Sequence, residues 1–423
     1  MKKKEMMKRL TALVSAAVLT AAMVTGCGAG AVDSTVPEET GAEAETAAPA
    51  AAAAEETEEE AAPAETEASG DSVVVGTISP NTGTLAAYGE AVMNSINLAV
   101  EEINASGGVL GKPLEIISYD DKGDSTEGAN AFNKLVGENV CAIIGSVTSG
   151  VTAGLAPLAD ESQIVLLTPT ATADTITESD NYVFRTCFKD SYQGKMAAKF
   201  AAEELGLTKV AVLYASGDAY SAGLRESFNA AAAEYGLEVV AEESSSSTDD
   251  TEFSSQLTNI AASGAEFLFA PYYYNAVGPY IIPQARAAGF EGVIMGADGF
   301  DGTIGTMVDD KTLYNNCYFT NHYAADDTSE TVQKFVTDYT AKYGAESLNA
   351  LGALAYDSVY MLAAAIEKAG STDRAAIRDA MSGMTFEGVT GSFTLDETGT
   401  PEKSVAIIEF KDGAAVWKTT LSN

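Results

Sequence analysis

From Ser72 onward, short apolar runs alternate with helically spaced segments so regularly that few folds remain open to the chain. Residues 73–78 are nearly all apolar, as a strand covered on both faces must be. Val92, Ile96, Ala99 and Ile103 then recur at helical spacing within residues 89–105, and Gly107-Gly108 ends that stretch. Strand-like 114–119, helix-like 125–138, strand-like 141–145, helix-like 150–161 and strand-like 164–168 follow. After a break near 185–190 the rhythm resumes, with strands at 210–214, 238–241, 267–270 and 293–296. Helical stretches lie near 190–205, 219–235, 252–262 and 276–288, several closed by a glycine: Gly206, Gly236 and Gly289. Strand–helix alternation predicts an α/β fold with parallel sheets covered by helices on both faces. The number of strands predicts two sheets and hence two lobes.

The last third is mostly helical, over 328–343, 350–369 and 373–382. Short strands follow near 391–395, 405–410 and 415–418. No apolar run there is expected to span a membrane, so the tail is expected to complete lobes already begun. It is not expected to lead to a signalling module.

The N-terminus has another character. Lys2-Lys3-Lys4 and Lys8-Arg9 precede an apolar run over 10–24, the pattern of a secretory signal peptide. That run is too short for a comfortable membrane span. It closes on Val24-Thr25-Gly26-Cys27, which resembles the lipobox of bacterial lipoproteins. The resemblance implies cleavage after residue 26, a diacylglycerol on the Cys27 thiol and a membrane contact through that anchor alone. Residues 28–71 hold thirteen acidic residues, no basic one and no aromatic one, and are expected to be a disordered tether.

Charge narrows the partners. Taking the +4 of residues 1–27 and the −13 of residues 28–71 from the overall −37 leaves −28 on residues 72–423. Such a body repels phosphate backbones, which argues against nucleic acid, and is indifferent to a zwitterion.

Catalysis finds little support. His322 is the only histidine, in a run over 317–323 that reads as structural, and no nucleotide-binding glycine pattern follows residues 73–78. No cofactor and no metal is expected. With Cys27 lipidated, Cys141, Cys187 and Cys317 remain, so at most one disulfide forms within the chain. None of their spacings suits a metal. They read as small buried hydrophobes.

Binding chemistry has better footing. Ligands of open parallel sheets sit beyond the strands' carboxyl ends, where helix N-termini point. Ser146-Val147-Thr148-Ser149-Gly150 follows one strand and Pro169-Thr170-Ala171-Thr172-Ala173-Asp174 the next. Hydroxyls and free N–H groups there suit a carboxylate. Plain helix capping explains the same residues. Asp298, in Ala297-Asp298-Gly299 after the strand at 293–296, is placed to pair with an ammonium. Tyr88, Tyr220 and the cluster Tyr272-Tyr273-Tyr274 offer pocket walls, or simply half-buried packing.

Taken together, residues 72–423 resemble the branched-chain amino-acid-binding family of type I periplasmic binding proteins. The resemblance is carried by Tyr88-Gly89, by Ile103-Asn104-Ala105-Ser106-Gly107-Gly108 running on to Gly111, and by Tyr119-Asp120-Asp121. Leu167-Thr168-Pro169-Thr170-Ala171-Thr172-Ala173, Phe184-Arg185-Thr186, Gln284-Ala285-Arg286-Ala287-Ala288-Gly289 and Ala355-Tyr356-Asp357 extend it. It implies two Rossmann-like lobes with parallel central sheets, joined by three crossovers and closing on a ligand held between them. By number the lobes would be 72–189 plus 323–396 and 190–322 plus 397–423.

The same resemblance implies that Ser149 and Thr172 hold an amino acid's carboxylate. Asp298 and the Thr170 carbonyl would hold its ammonium, and Tyr88, Tyr220 and Tyr273 would surround its side chain. It further implies a monomeric receptor delivering a branched-chain or other aliphatic amino acid to the permease and ATPase of an ABC importer. Family members carry a disulfide where this chain has Gly123 and Thr148, so rigidity of the carboxylate loop is expected from packing. A receptor for an amide, urea or aromatic acid, a sensory module of the same fold, and a Rossmann-like enzyme are the rival readings.

Overall fold

The structure is a computed structural model that describes residues 72–178, 182–302 and 304–422. The expected signal segment, Cys27 and the acidic tether lie outside the described residues.

The first sheet has the order β2-β1-β3-β4-β5, every neighbour parallel. Its strands are β1 Val73–Ser79, β2 Leu114–Asp120, β3 Ala142–Ile144, β4 Val165–Thr168 and β5 Val183–Arg185. Helices α1 Ala86–Ala105, α2 Ser125–Gly137 and α3 Ser149–Glu161 connect the first four. Side chains alternate between two buried faces, which is why these runs are apolar throughout. Val73, Val75, Ala142, Ile144, Val165 and Leu167 join one core. Ile78, Ile143 and Leu166 join a second core with Phe132 and Leu135 of α2 and Val151 and Leu155 of α3. Burying each such side chain contributes about 1.5–3 kcal/mol.

The second sheet has the order β14-β13-β10-β9-β8-β6-β7. Parallel strands β6 Lys209–Ala215, β7 Glu238–Ser245, β8 Phe267–Phe269, β9 Val293–Gly296 and β10 Cys317–Asn321 carry helices between them. These are α5 Ala219–Glu234, α6 Ser254–Ala262, α7 Tyr274–Ala276 and α8 Ile282–Ala287, while α4 Asp190–Lys199 precedes β6. Between β10 and the next strand of this sheet the chain forms α9 Glu330–Tyr343, α10 Ala350–Ala369 and α11 Arg374–Met381, then the hairpin β11 Thr385–Gly388 with β12 Gly391–Thr394. Helix α10 packs along α1 and against β3 and β4, so this excursion belongs to the first sheet. The chain then adds antiparallel β13 Val405–Lys411 and β14 Ala414–Leu421 to the second. It therefore passes between the sheets three times, around residues 186–189, 322–329 and 395–404.

Several details differ from the sequence reading. Strands β5, β10 and β11 were not expected. β5 is only three residues long and ends on Arg185, while β10 is wholly buried yet carries Thr320 and Asn321. The helices expected at 190–205 and 276–288 contain π-helical turns at Phe200–Glu204 and Val277–Ile281. Helix α10 is long and apolar enough to cross a membrane, but 83% of that stretch is buried inside the protein as a core helix. Cys141, Cys187 and Cys317 are free, buried thiols. Burial pushes Cys187 and Cys317 up to about 12, so they stay protonated and inert.

Candidate functional site

The site grows from three strand ends. After β3 the chain turns through residues 145–148 into α3. At Gly145, φ is +136°, and a Cβ there would come within 2.2 Å of the Ile78 carbonyl oxygen, so only glycine lets the turn pass β1. The Ser146 hydroxyl donates to the buried Asp121 carboxylate. Thr168 Oγ1 donates to the Ser146 carbonyl at 2.7 Å and Thr170 Oγ1 to the Val147 carbonyl at 2.7 Å, stitching the two loops together. Ser149 Oγ accepts the Ala173 N–H at 3.2 Å, which leaves its O–H free to donate elsewhere. Thr148 stands at the N-cap of α3 without a side-chain capping bond, so capping does not explain that hydroxyl. The N-terminus of α3 keeps its preference for an anion.

Buried hydrogen bonds add to the packing expected in place of a disulfide. The Arg185 guanidinium is fully buried. Its Nη1 donates to the Ala171 and Thr172 carbonyls at 3.2 and 2.9 Å. Its Nη2 donates to the Ala173 carbonyl and Thr177 Oγ1, both at 3.0 Å. One side chain thus holds three consecutive carbonyls of the loop after β4.

From the second sheet, β9 ends in the short turn Asp298–Phe300. The Gly299 peptide is gripped from both sides. Tyr220 Oη accepts its N–H at 2.8 Å, and Tyr88 Oη, from α1 beside the first sheet, donates to its carbonyl at 2.5 Å. A Cβ on Gly299 would lie 2.7 Å from Tyr220 Oη and 2.9 Å from the Tyr272 carbonyl, so glycine is required here by proximity. Tyr220 and Tyr273 stack at 5.0 Å, and Tyr88 meets Tyr273 edge-on at 6.1 Å. Burial lifts all three phenols well above their ordinary range, so they remain O–H donors. Tyr274, next along, also reaches the first sheet's side: its Oη donates to the Thr84 carbonyl at 2.9 Å.

Six of the seven residues expected at the site, Tyr88, Ser149, Thr170, Tyr220, Tyr273 and Asp298, line one cavity. Thr172 does not. Its side chain is fully buried behind the wall, and its carbonyl accepts the Asp190 N–H at 2.9 Å. Leu351 of α10 completes the wall, with no local signal in the sequence to place it there. The cavity measures about 20 Å³, little more than the roughly 10–15 Å³ a single water needs. Any amino acid enters only as the walls draw apart.

Behind Asp298 stands a polar layer that the sequence did not reveal. Gln193 Nε2 donates both to Asp298 Oδ1 at 3.1 Å and to Asp190 Oδ1 at 3.0 Å. Gln193 Oε1 accepts Thr320 Oγ1 at 2.9 Å and the Asp298 N–H at 3.3 Å. Burial, and next the charge of Asp298, raise the Asp190 carboxyl well above its usual range. His322, set aside above as structural, places Nε2 3.0 Å from Asp298 Oδ2, and its ring stacks on Phe188 at 3.8 Å. Burial lowers its imidazole, with the bond to Asp298 opposing, which favours the neutral form. Among the described residues no group of three or more His, Cys, Asp or Glu is placed to hold a metal ion.

The sequence profile of the family described as "Periplasmic binding protein" matches residues 72–415. A "Leu/Ile/Val-binding protein homolog 3" from Brucella melitensis is 32% identical over 353 residues, covering 81% of this chain and 93% of its own. Among solved structures, a leucine-binding protein LivK from Thermotoga maritima matches with a TM-score of 0.77 and 33% identity, over 82% of this chain and 98% of its own. The branched-chain amino-acid transporter substrate-binding protein LivJ of Streptococcus pneumoniae, in complex with isoleucine, matches with a TM-score of 0.76 and 32% identity, over 82% and 98%.

Proposed function

The chain belongs to the periplasmic binding protein family, and on that premise we propose that it is the solute receptor of an ABC importer, binding an aliphatic α-amino acid between two lobes. One observation carries the reading: a hydroxyl loop at a helix N-terminus and the Asp298 carboxylate, contributed by opposite sheets, line the same small cavity. The first suits a carboxylate and the second an ammonium, so a zwitterion bridges them and stabilises the closed arrangement over an open one. In this reading Ser149 and the N-terminus of α3 receive the carboxylate, and the Thr170 carbonyl and Asp298 take the ammonium. Tyr88, Tyr220, Tyr273 and Leu351 enclose the side chain. Thr172 supports the loop through its backbone.

The bodies we propose to move are 72–189 with 323–396, and 190–322 with 397–423, hinged where the chain crosses between the sheets. The wider proposal has the protein exported by residues 1–26, anchored by lipid on Cys27, held off the membrane by residues 28–71, and working as a monomer with a permease and an ATPase. Its task in this reading is capture and delivery, not catalysis.

The test is a melting screen of the protein against the twenty amino acids, a few amides and aromatic acids. A ligand at about a hundred times its Kd stabilises by about 2.7 kcal/mol. Stabilisation by Leu, Ile, Val or another α-amino acid supports the proposal; silence across all of them sinks it. Calorimetry on Asp298→Asn follows. It is expected to weaken binding by well over tenfold with the fold intact, since hydrogen bonds to charged groups contribute about 1.5–3 kcal/mol each. Unchanged affinity removes Asp298 from the site.

A further inference from the structure

The one histidine of the chain stands against the acid proposed to receive the ligand's ammonium. A carboxylate only accepts, so the neutral imidazole carries its proton on Nε2 and donates it to Asp298 Oδ2 at 3.0 Å. The other ring nitrogen, Nδ1, is buried without a hydrogen-bond partner. A second proton there would create a buried cation.

The groups facing the ring decide what balances that cation. Asp298 touches it. Phe188, on the first crossing, covers its face at 3.8 Å. Lys403, on the third crossing, opposes its protonation by charge. Asp190 lies one residue further, beyond the Gln193 bridge. Asp301 is held by the neighbouring Asn321 at 2.8 Å. Asp327 and Glu387 stand across a separate cavity of about 280 Å³ that His322 also lines. Among the described residues Asp298 is thus the only carboxylate bonded to the ring, and it is the same one the ligand needs. The His322 side chain has no exposed surface in this closed arrangement, so water reaches Nδ1 only as the walls draw apart.

We propose that His322 is the positioning residue of the ammonium subsite and also its proton competitor. Neutral, it donates Nε2–H to Asp298 and, with Gln193 on the other oxygen, fixes the carboxylate for the ligand. On taking a second proton from solvent at Nδ1, it becomes the counterion of Asp298 in the ligand's place, and the amino acid leaves with its own ammonium intact. Binding and proton uptake at this ring exclude one another. The inference rests on the ammonium role of Asp298.

Because the sequence holds a single histidine, the ring gives a single Cε1–H resonance in a protein purified without added histidines. Its titration is followed with and without saturating L-isoleucine, or whichever α-amino acid ranks first in the melting screen. The midpoint is expected to fall by at least one pH unit on binding. The Kd is expected to climb about tenfold per pH unit below the ligand-free midpoint, as competition by one proton requires. His322→Gln keeps an N–H donor but cannot become a cation, and its Kd is expected to stay flat over the same window.

An unmoved midpoint, or a His322→Gln variant that loses affinity in acid as the wild type does, overturns the proposal. Asp298→Asn at pH 8 separates the two readings. If it binds weakly while the midpoint stays put, only the role of His322 falls. If it binds as tightly as the wild type, the ammonium reading falls and the role of His322 with it.

Discussion

Replacing Tyr88 by Phe keeps the aromatic wall and removes one oxygen. That oxygen donates to the Gly299 carbonyl at 2.5 Å and accepts the Tyr274 N–H at 3.3 Å, both partners belonging to the opposite sheet's side of the cleft. In the closed arrangement both groups are buried, so the variant leaves a carbonyl and an N–H without partners there. In an open arrangement water satisfies them. The lost bond is worth about 0.5–1.5 kcal/mol, and an unsatisfied buried group costs about 1–3 kcal/mol. The 3.3 Å contact is long enough to count for little. A net cost of about 1.5–3 kcal/mol on closure alone follows, and ligand affinity is expected to drop roughly 10- to 150-fold.

Calorimetry of the winning amino acid on wild type and Tyr88→Phe measures the drop, and the melting temperature of each without ligand measures its origin. A Kd within about twofold of wild type refutes the idea that this bond loads the closed state. So does a ligand-free stability loss equal to the affinity loss, because the bond then serves the fold in every arrangement.

Ser149→Ala removes an O–H donor from the carboxylate end. Affinity is expected to fall about 10- to 150-fold, the ligand-free melting temperature is expected to drop as well because the buried Ala173 N–H loses its acceptor, and an affinity loss under threefold by calorimetry would move the carboxylate elsewhere. Lys403→Met tests the crossings themselves. Lys403 Nζ donates to the Thr186 carbonyl at 3.0 Å and to Thr390 Oγ1 at 2.6 Å, and the same Thr390 donates to the buried Asp357 carboxylate at 2.6 Å. Removing the ammonium leaves Asp357 without its nearby positive charge and is expected to destabilise by about 3–5 kcal/mol in urea unfolding; under 1 kcal/mol would show the cluster to be idle. Burial pulls the Lys403 ammonium down to about 8, below its unfolded value of about 10.4. The unfolded chain therefore binds more protons between those values, and wild-type stability is expected to gain a contribution that rises with pH there. The Met variant should lose that rise.

The alternating rhythm was legible because strands buried on both faces are continuous apolar runs and the helices between them end at glycines. Strand starts and ends such as those of β1, β6 and β9 agree with the sequence reading to within a residue or two. What escaped were strands whose buried side chains are polar. Thr320 and Asn321 of β10 point to no apolar run, yet both are fully or nearly fully buried because they bond Gln193 and Asp301. At the site, hydroxyls and an acid after strand ends could be picked out locally. Gln193, His322 and Leu351 could not, because each is brought in by a crossing or a distant helix and nothing in its own neighbourhood marks it. Thr172 shows the opposite limit. A hydroxyl in a promising loop is fully buried and does not line the cavity, and its local sequence does not distinguish it from Thr170, which does.

The packing of α10 across the first sheet bears on how the protein is made. The sheet's last strand is synthesised by Arg185, but the helix that covers its α1 side begins at Ala350, some 165 residues later. At about 5–20 residues per second, the apolar row of Val75, Ile144 and Leu167 waits roughly 10–30 s for its cover. A nascent chain in that interval is a sticky, half-roofed object. Any shortening of the chain that deletes α10 leaves it so for good. Neither half of this molecule can be cut out as a contiguous, self-sufficient fragment, and the ribosome must deliver nearly the whole sequence before either half is finished.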